Sequence, residues 1–192
     1  MIKHAITQFP VLDLIKQRWS ARSFSPKQIT ADEIHTILEA ASWAPSANNE
    51  QPWEFHYALK GTAGFDIIWN CLMPGNQPWN RNAAGFIVTI AHKTFAANDK
   101  PNAYAEHDLG LATSYLLLQA SSMGIYTHPM AGIDKVKLSE ALHLTENQAP
   151  LCIIALGYLD DAEKLEEPFK ARELMARTRK PLSEIAKLVS SY

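Results

Sequence analysis

The chain is poor in the residues that build metal sites and disulfide frameworks. Of its 192 residues only two are cysteines, Cys71 and Cys152, and their separation fits neither a metal-ligand spacing nor a disulfide framework. Cys152 lies in the apolar run 151–156, where a buried and inert thiol is the expected interpretation. We therefore predict no bound metal ion.

Glycine is also scarce. The 8 glycines are scattered and form no Gly-x-Gly-x-x-Gly pattern, which argues against a Rossmann-type dinucleotide site. The chain contains no P-loop, no Gly-x-Ser-x-Gly elbow and no His-Glu-x-x-His sequence. His107 and Asp108 are neighbours on a predicted helix and are expected to point in different directions, so we do not interpret them as a pair. Because no nucleophile is evident, any chemistry would depend on a bound cofactor.

Neither sign of charge dominates, and long apolar runs are missing. The formal net charge of -2 gives no reason to expect a nucleic acid or an anionic membrane as a partner. No apolar stretch approaches the ~20 residues that a membrane helix requires. The first five residues lack the layout of a signal peptide. We expect a cytoplasmic protein.

The composition is otherwise that of an ordinary globular protein, with 47% hydrophobic and 20% charged residues. The length favours a single domain over residues 1–192. After Gly157 the chain becomes more charged, and we treat residues 160–192 as a C-terminal tail that covers a surface. Composition leaves open whether that surface belongs to the same subunit or to a partner.

Periodicity predicts a series of helices and strands without regular βαβ alternation, which favours the α+β class. The helix over 30–44 begins with a capping box formed by Thr30 and Glu33. Further predicted helices cover 11–18, 106–123 and 134–142, with a final amphipathic helix marked by Leu182, Ile185, Ala186 and Val189. The predicted strands are Trp53 to Leu59, 85–91 and 151–156.

Three polar segments are candidates for binding. Arg18, Ser20 and Arg22 suit bidentate recognition of a phosphate, although a solvated helix end with salt bridges is the alternative. Residues 44–53 carry amides between two prolines and suit the polar edge of a planar heterocycle, or a turn that satisfies its own backbone. Residues 177–182 form a basic run, for which a solvated patch is the alternative.

Taken together and at this spacing, the three segments resemble the nitroreductase family of FMN flavoproteins. The resemblance covers most of the chain. It includes Arg-x-Ser-x-Arg-x-Phe at 18–24, Ala-Pro-Ser-x-x-Asn-x-Gln-Pro-Trp at 44–53, Met-Gly-Ile at 123–125, Met-Ala-Gly-Ile at 130–133, the strand at 149–158 and Arg-Lys-Pro-Leu-Ser-Glu at 179–184.

The resemblance implies a fold and a set of binding residues. The fold would be α+β, with a mixed, largely antiparallel central sheet flanked by helices, in an intertwined homodimer with its pocket at the subunit interface. FMN would be the cofactor and NAD(P)H a transient reductant. The residues implied to line the phosphate, ribityl chain and pyrimidine edge of FMN are Arg18, Trp19, Ser20 and Arg22, with Arg179 and Arg177 closing on the phosphate. Those implied to meet the flavin from other sides are Pro45, Ser46, Ala47, Asn49 and Gln51, with the backbone of Ala131 and Gly132 facing the flavin N5.

No side chain is assigned a catalytic role by the resemblance, since the flavin carries the chemistry. A cation at the N1/C2=O edge would stabilise the negative charge of reduced flavin, and Arg22 is the candidate. The implied function is an FMN-dependent NAD(P)H oxidoreductase that reduces small electrophilic acceptors, such as nitroaromatics and quinones, by ping-pong hydride transfer. The alternatives are a specialised dehydrogenase or reductase of the same fold, an FMN-binding protein without turnover, and a helical interaction protein without cofactor.

The chain departs from the common pattern of the family in three places. Trp19 stands where Arg or His is frequent, and Ala131 stands where many members have Glu before the glycine. The stretch 60–82 is short and unusual, and it offers three candidate pocket-lining residues: Trp69, Trp79 and Arg81. These differences bear on the acceptor, whose identity stays open together with the choice of NADH or NADPH.

Overall fold

A four-stranded sheet forms the centre of the computed structural model, which describes residues 3–189. The strands are β1 (Trp53–Leu59), β2 (Gly85–His92), β3 (Ile125–Met130) and β4 (Gln148–Tyr158). Their order is β1-β2-β4-β3, and all three pairings are antiparallel. The α+β class with a largely antiparallel sheet is thereby confirmed.

Seven α-helices surround the sheet within residues 3–189. They are α1 (Asp13–Gln17), α2 (Ala31–Ser42), α3 (Ala63–Asn70), α4 (Ala105–Ser122), α5 (Lys135–Ala141), α6 (Phe169–Leu174) and α7 (Leu182–Ile185). None of them is both long enough and apolar enough to cross a membrane.

The predicted start of α2 is confirmed in detail. The Thr30 hydroxyl accepts a hydrogen bond from the Glu33 backbone N–H (3.2 Å), and the Glu33 carboxylate accepts one from the Thr30 backbone N–H (2.8 Å). These two bonds satisfy amide groups that have no partner inside the first turn. The buried side chains of α2 then follow helical spacing, with Ile34, Ile37 and Ala41 facing the core.

Apolar cores cover both faces of the sheet. One contains Ile34 and Ile37 of α2, Leu116 of α4, and Ile154 of β4. The opposite core contains side chains from α3, α5 and the segment that follows α1. Seven of the eight β2 residues are buried, which explains why that strand appears in the sequence as a continuous apolar run.

Strand β3 and helices α3 and α6 escaped prediction, and the C-terminal helix was predicted too long. Strand β3 carries Pro129, and a proline lacks the N–H that a central strand needs; β3 tolerates it because it lies at the edge of the four-stranded sheet. Helix α3, capped by the Thr62 hydroxyl, fills part of the stretch 60–82. The predicted C-terminal helix is confined to α7, whose apolar residues Leu182 and Ile185 are exposed, so no core within the described chain supports a longer helix.

Candidate functional site

The first and third sequence segments meet in one cleft of about 310 Å³. The cleft lies between the segment after α1, the middle of β3 and the chain that follows α6. We call it the cationic cleft because its lining includes Lys3, Arg18, Arg22, Arg172, Arg177 and Arg179, together with Trp19, Ser20 and His128. Six of the predicted binding residues therefore converge, although 155 or more positions separate the two segments in sequence.

Partial burial makes this accumulation of positive charge costly. Burial lowers the pKa of Arg18, and repulsion from Arg177 and Arg179 lowers it further. Burial likewise lowers the pKa of Arg22, an effect that the carboxylate of Glu173 partly opposes. Cations crowded in this way are stabilised when an anion enters between them, so the cationic cleft suits a phosphate.

The two arginines of the basic run have different surroundings. Arg177 donates from Nη1 to the backbone carbonyls of Lys3 (2.9 Å) and Lys16 (2.6 Å), which ties the tail to the N-terminal arm. Arg179 is exposed and donates from Nη1 to the carbonyl of Thr178 (2.7 Å). Arg179 is therefore the better placed of the two to close on a ligand. Both also line a neighbouring, larger cavity of about 640 Å³ formed with residues of the N-terminal arm.

The second sequence segment, residues 45–51, forms a loop outside the cationic cleft. We call it the amide loop. Three of its residues have left-handed backbone conformations although none is glycine: Asn48, Asn49 and Gln51, with φ of 54°, 56° and 52°. The Gln51 side chain donates to the Asn49 carbonyl (3.1 Å). For Gln51 the structure therefore shows the alternative from the sequence analysis, a turn whose side chains satisfy its own backbone. Ser46 Oγ accepts from the Gln51 N–H (3.0 Å), while Pro45 is exposed.

A buried carboxylate holds the amide loop from beneath. Asp108, on the first turn of α4, is 2% exposed and accepts a hydrogen bond from the Ala47 N–H (2.9 Å). The same carboxylate lies 2.9 Å from Nδ1 of His107. The prediction that His107 and Asp108 do not pair was wrong, because the two side chains turn toward each other across the exposed end of the helix.

Ala131 and Gly132 follow β3, the strand that carries His128 into the cationic cleft. The Gly132 carbonyl accepts from the Met73 N–H and from the Asn76 side-chain amide, each at 3.0 Å. A Cβ on Gly132 would lie 2.6 Å from Asn76 Nδ2, so the close approach of this amide requires glycine. Ala131 is exposed, and neither residue belongs to the lining of the cationic cleft.

None of the three candidates in the stretch 60–82 lines the cationic cleft, but Trp79 packs against two residues that do. Its buried ring lies 4.5 Å from the ring of His128 and 5.7 Å from the guanidinium of Arg22. Trp69 donates instead to the Gln77 carbonyl (3.1 Å), and the Arg81 guanidinium lies 5.7 Å from the Trp69 ring. Trp19 is also buried, under the ammonium group of Lys3, which is 4.4 Å from its ring centroid.

Sequence reasoning missed Glu173 and His128. Glu173 is 2% exposed and accepts hydrogen bonds from the Arg22 and Ser23 N–H groups at 3.1 and 3.2 Å. It stands in a charged stretch where nothing distinguishes it from its solvated neighbours. The pKa of His128 is lowered to about 4, first by burial and then by Arg22. His128 escaped because β3 itself was not predicted.

The two thiols lie outside the cleft. Cys71 is buried, and Cys152 is half-buried with its Sγ 3.3 Å from the Thr89 hydroxyl. Burial raises the pKa of the Cys152 thiol, which keeps it protonated and unreactive at neutral pH. This agrees with the interpretation of Cys152 as an inert residue.

Two features define the class of this protein. It has an antiparallel sheet flanked by helices, and it has a cationic cleft that suits an anionic ligand. The model of the nitroreductase family matches residues 15–158. The chain belongs to the nitroreductase family. The predicted resemblance is thereby confirmed.

Individual relatives agree with this assignment. The chain is 32% identical over 161 residues to an Archaeoglobus fulgidus protein with the provisional name NADH dehydrogenase/NAD(P)H nitroreductase, which covers 81% of this chain and 89% of that protein. It is 23% identical over 205 residues to the 4-nitrobenzoate reductase of Pseudomonas putida, covering 84% and 90% of the two chains. A solved structure described as an oxidoreductase containing FMN superposes with a TM-score of 0.91 at 33% identity, covering 97% of this chain and 95% of that one.

Proposed function

We propose that this protein is an FMN-dependent NAD(P)H oxidoreductase that reduces small electrophilic acceptors such as nitroaromatics and quinones. The observation that carries the proposal is the convergence of Arg18, Ser20, Arg22 and Arg179 on one partly buried cleft. A surface patch of basic residues would be solvated, whereas Arg18 and Arg22 are partly desolvated and Arg18 is repelled by Arg177 and Arg179. The FMN-containing structural neighbour supports the choice of phosphorylated ligand.

The residues of the cleft fit the phosphorylated end of FMN. Arg18 and Arg179 would pair with the phosphate, and the Ser20 hydroxyl would add a neutral hydrogen bond. Arg22 lies beside the ring of Trp79 and would meet the pyrimidine edge of the flavin. The Trp19 side chain would close one side of the cationic cleft, which a smaller side chain would leave open.

When bound, FMN supplies the two-electron chemistry that connects NAD(P)H to the acceptor, which predicts ping-pong kinetics. The chain's own residues bind and orient. Arg22 places a fixed positive charge where the reduced cofactor gains negative charge, and its partial burial strengthens that interaction. The amide loop and the Ala131–Gly132 backbone would provide uncharged donors on the other sides of the ring.

We also propose that the active unit is a homodimer, with the tail packed on the partner subunit. Within residues 3–189, the amide loop and Ala131–Gly132 do not line the cationic cleft, so a second subunit is a natural source for the missing wall. Both ends of the described chain expose large apolar side chains. Among them are Ile6 (103% exposed), Leu12 (71%), Ile185 (67%) and Leu188 (89%). Such surfaces are typical of association faces.

The nitroaromatic acceptor is supported by a relative. The Pseudomonas putida relative is named for a nitroaromatic acid, which supports nitroaromatic acceptors, although at 23% identity it does not specify one. A specialised dehydrogenase of the same fold and a non-catalytic FMN-binding protein are the alternatives. A cytoplasmic location stays a prediction from the sequence.

The proposal is tested on purified protein by identifying the bound pigment and by anaerobic titration. We expect a yellow preparation whose heat-released pigment is FMN, bleached by NADH or NADPH and recoloured by 4-nitrobenzoate or a benzoquinone. A colourless protein that takes up no added FMN would refute the proposal. Bound FMN that neither nicotinamide bleaches would favour the non-catalytic alternative.

A further inference from the structure

One peptide unit in the wall of the cationic cleft is held from both ends. The carbonyl of Ala21 and the N–H of Arg22 belong to the same peptide bond, which we call the 21–22 peptide. Nδ1 of His128 lies 3.0 Å from the Ala21 oxygen. Both carboxylate oxygens of Glu173 lie 3.1 Å from the Arg22 nitrogen. The two clamping residues come from distant elements, β3 and α6.

We call Glu173, His128 and the 21–22 peptide between them the clamp. The clamp is buried, so its hydrogen bonds do not exchange freely with water. Ala21 is 0% exposed and Glu173 is 2% exposed. Burial and the neighbouring arginines keep His128 neutral, and a neutral imidazole that faces a carbonyl must carry its proton on the facing nitrogen. Nδ1 of His128 therefore donates to Ala21, and Glu173 accepts from the peptide on its opposite side.

Glu173 also acts on the side chain that this peptide carries. One of its oxygens lies 3.9 Å from Nη1 of Arg22, and it accepts a further bond from the Ser23 N–H (3.2 Å). The carboxylate thus offsets part of the Arg22 charge while it fixes the backbone from which Arg22 extends. Lys3 is the other cation that the Glu173 charge stabilises.

We propose that Glu173 and His128 are positioning residues that hold Arg22 and set how much of its positive charge reaches the flavin. Neither residue needs to touch the cofactor in this role. The inference rests on the proposed flavin function and deepens it, because it assigns control of the flavin reduction potential to a residue of the tail. The packing of the tail against the 21–22 peptide would then influence the reduction potential of the flavin through Arg22.

The test measures the midpoint potential of FMN bound to the full-length holoprotein, equilibrated with a reference dye. Glu173→Gln keeps the shape and one accepting oxygen but removes the charge, so Arg22 acts unopposed. We expect the ratio of reduced to oxidised flavin at a fixed potential to rise about fivefold, because a neutral amide replaces the carboxylate that offsets the Arg22 charge from 3.9 Å. This corresponds to a shift of ~20 mV for a two-electron couple.

A matched control removes the same charge from the same tail. Glu163 is exposed and pairs with Lys170, and Glu163→Gln should leave the potential unchanged. His128→Phe keeps a ring against Trp79 but removes the donor to Ala21, which frees Arg22 to move. We expect this variant to shift the ratio about threefold toward oxidised flavin, a loss comparable to that of a modest hydrogen bond.

The double variants decide whether the effect passes through Arg22. In an Arg22→Gln background, His128→Phe should no longer change the potential, and the Glu173→Gln shift should fall well below fivefold, because only the direct field of the carboxylate is then removed. Shifts of unaltered size in that background, or none in the single variants, would overturn the inference while leaving the flavin function intact. If Glu173→Gln does not fold, His128→Phe carries the same test alone. Wild-type protein without reducible FMN would instead defeat the proposed function.

Discussion

At the scale of single residues, the site is organised by charge that has been withdrawn from water. Arg18 and Arg22 are partly buried among other cations, and their lowered pKa values record the cost of that placement. An anionic ligand would offset the cost, so the residues that we propose to bind phosphate are also those that are repelled by neighbouring cations in its absence.

Arg179→Ala should weaken FMN retention by about 1.5–3 kcal/mol, because a charge-assisted bond to the phosphate is lost. The dissociation constant of FMN, measured by fluorescence quenching, checks this value. Lys187→Ala is the control, since Lys187 is an exposed cation of the same tail that donates to the Ser183 carbonyl. Equal affinity in Arg179→Ala and wild type would remove Arg179 from the phosphate site.

Arg22→Gln should lower the flavin midpoint potential and slow reduction by the nicotinamide more than it weakens FMN binding. The reason is that Arg22 compensates a charge that appears only on reduction. Stopped-flow bleaching and a dye-linked titration measure the two effects separately. An unchanged potential would exclude Arg22 as the charge that tunes the flavin.

The pH dependence of stability should carry a contribution from His128. Its pKa is lowered from 6.5 to about 4 in the folded chain, so the unfolded chain takes up the proton first as the pH falls. The contribution is fully present above about pH 6.5, declines between 6.5 and 4, and is constant below. The loss amounts to at most about 3 kcal/mol.

Denaturant titrations between pH 7 and 4 measure this slope. His128→Gln cannot titrate and should show a shallower decline than wild type across that interval. His4→Gln, which alters an exposed histidine of the N-terminal arm, should decline as wild type does. A wild-type slope in His128→Gln would contradict the assignment.

At the scale of elements, rigid secondary structure positions loops whose own conformations are unfavourable. The amide loop contains three left-handed residues, each of which costs energy outside glycine. Helix α4 stabilises the loop through Asp108, and β4 with β2 provides the rigid sheet from which β3 carries His128 into the cleft. Loss of the Asp108 carboxylate from α4 is therefore expected to disturb the conformation of the amide loop.

Asp108→Ala should lower the free energy of unfolding by about 1–3 kcal/mol, because the half-buried Ala47 N–H loses its acceptor. We also expect weaker FMN binding as the amide loop relaxes. Urea unfolding of the apoprotein and an FMN titration measure the two consequences. Glu106→Ala, an exposed acid in the same helical turn, should be neutral in both assays. Similar losses in the two variants would point to the helix terminus rather than to the loop contact.

At the scale of the whole molecule, the described chain has a complete two-sided core but incompletely covered ends. The N-terminal arm and the tail are joined by Arg177 and Lys3, and both present apolar side chains to solvent. A second subunit would cover these surfaces and complete the site. Assembly and cofactor binding should therefore fail together.

Ile185→Asp should weaken self-association by about tenfold to a hundredfold, the worth of burying one large aliphatic side chain. Sedimentation velocity measures the dimer, and FMN retention should fall in parallel. Val136→Asp is the control, because Val136 is exposed to a similar extent (69%) but lies on α5, away from both ends. A wild-type sedimentation profile in Ile185→Asp would exclude the tail from the interface.

Local pattern was sufficient wherever local physics decides the outcome. The capping box of Thr30 and Glu33, the alternation from Trp53 to Leu59 and the apolar run of β2 were predictable, because caps and periodicity act over a few residues. The two arginine segments that share the cationic cleft were also selected in advance, as candidates for phosphate binding. The strand β3 was not, because Pro129 is tolerated only through its place at the sheet edge.

The sequence by itself determined the α+β class, the main elements and which arginines were candidates for phosphate. Only the tertiary structure decided that Arg18 and Arg179 share a cleft, that Asp108 holds the amide loop, and that Glu173 and His128 grip one peptide from opposite sides. These contacts join residues tens to more than 150 positions apart, and their energy comes from burial. The burial of these polar groups is decided by the packing of distant segments, and no local pattern in the sequence records it.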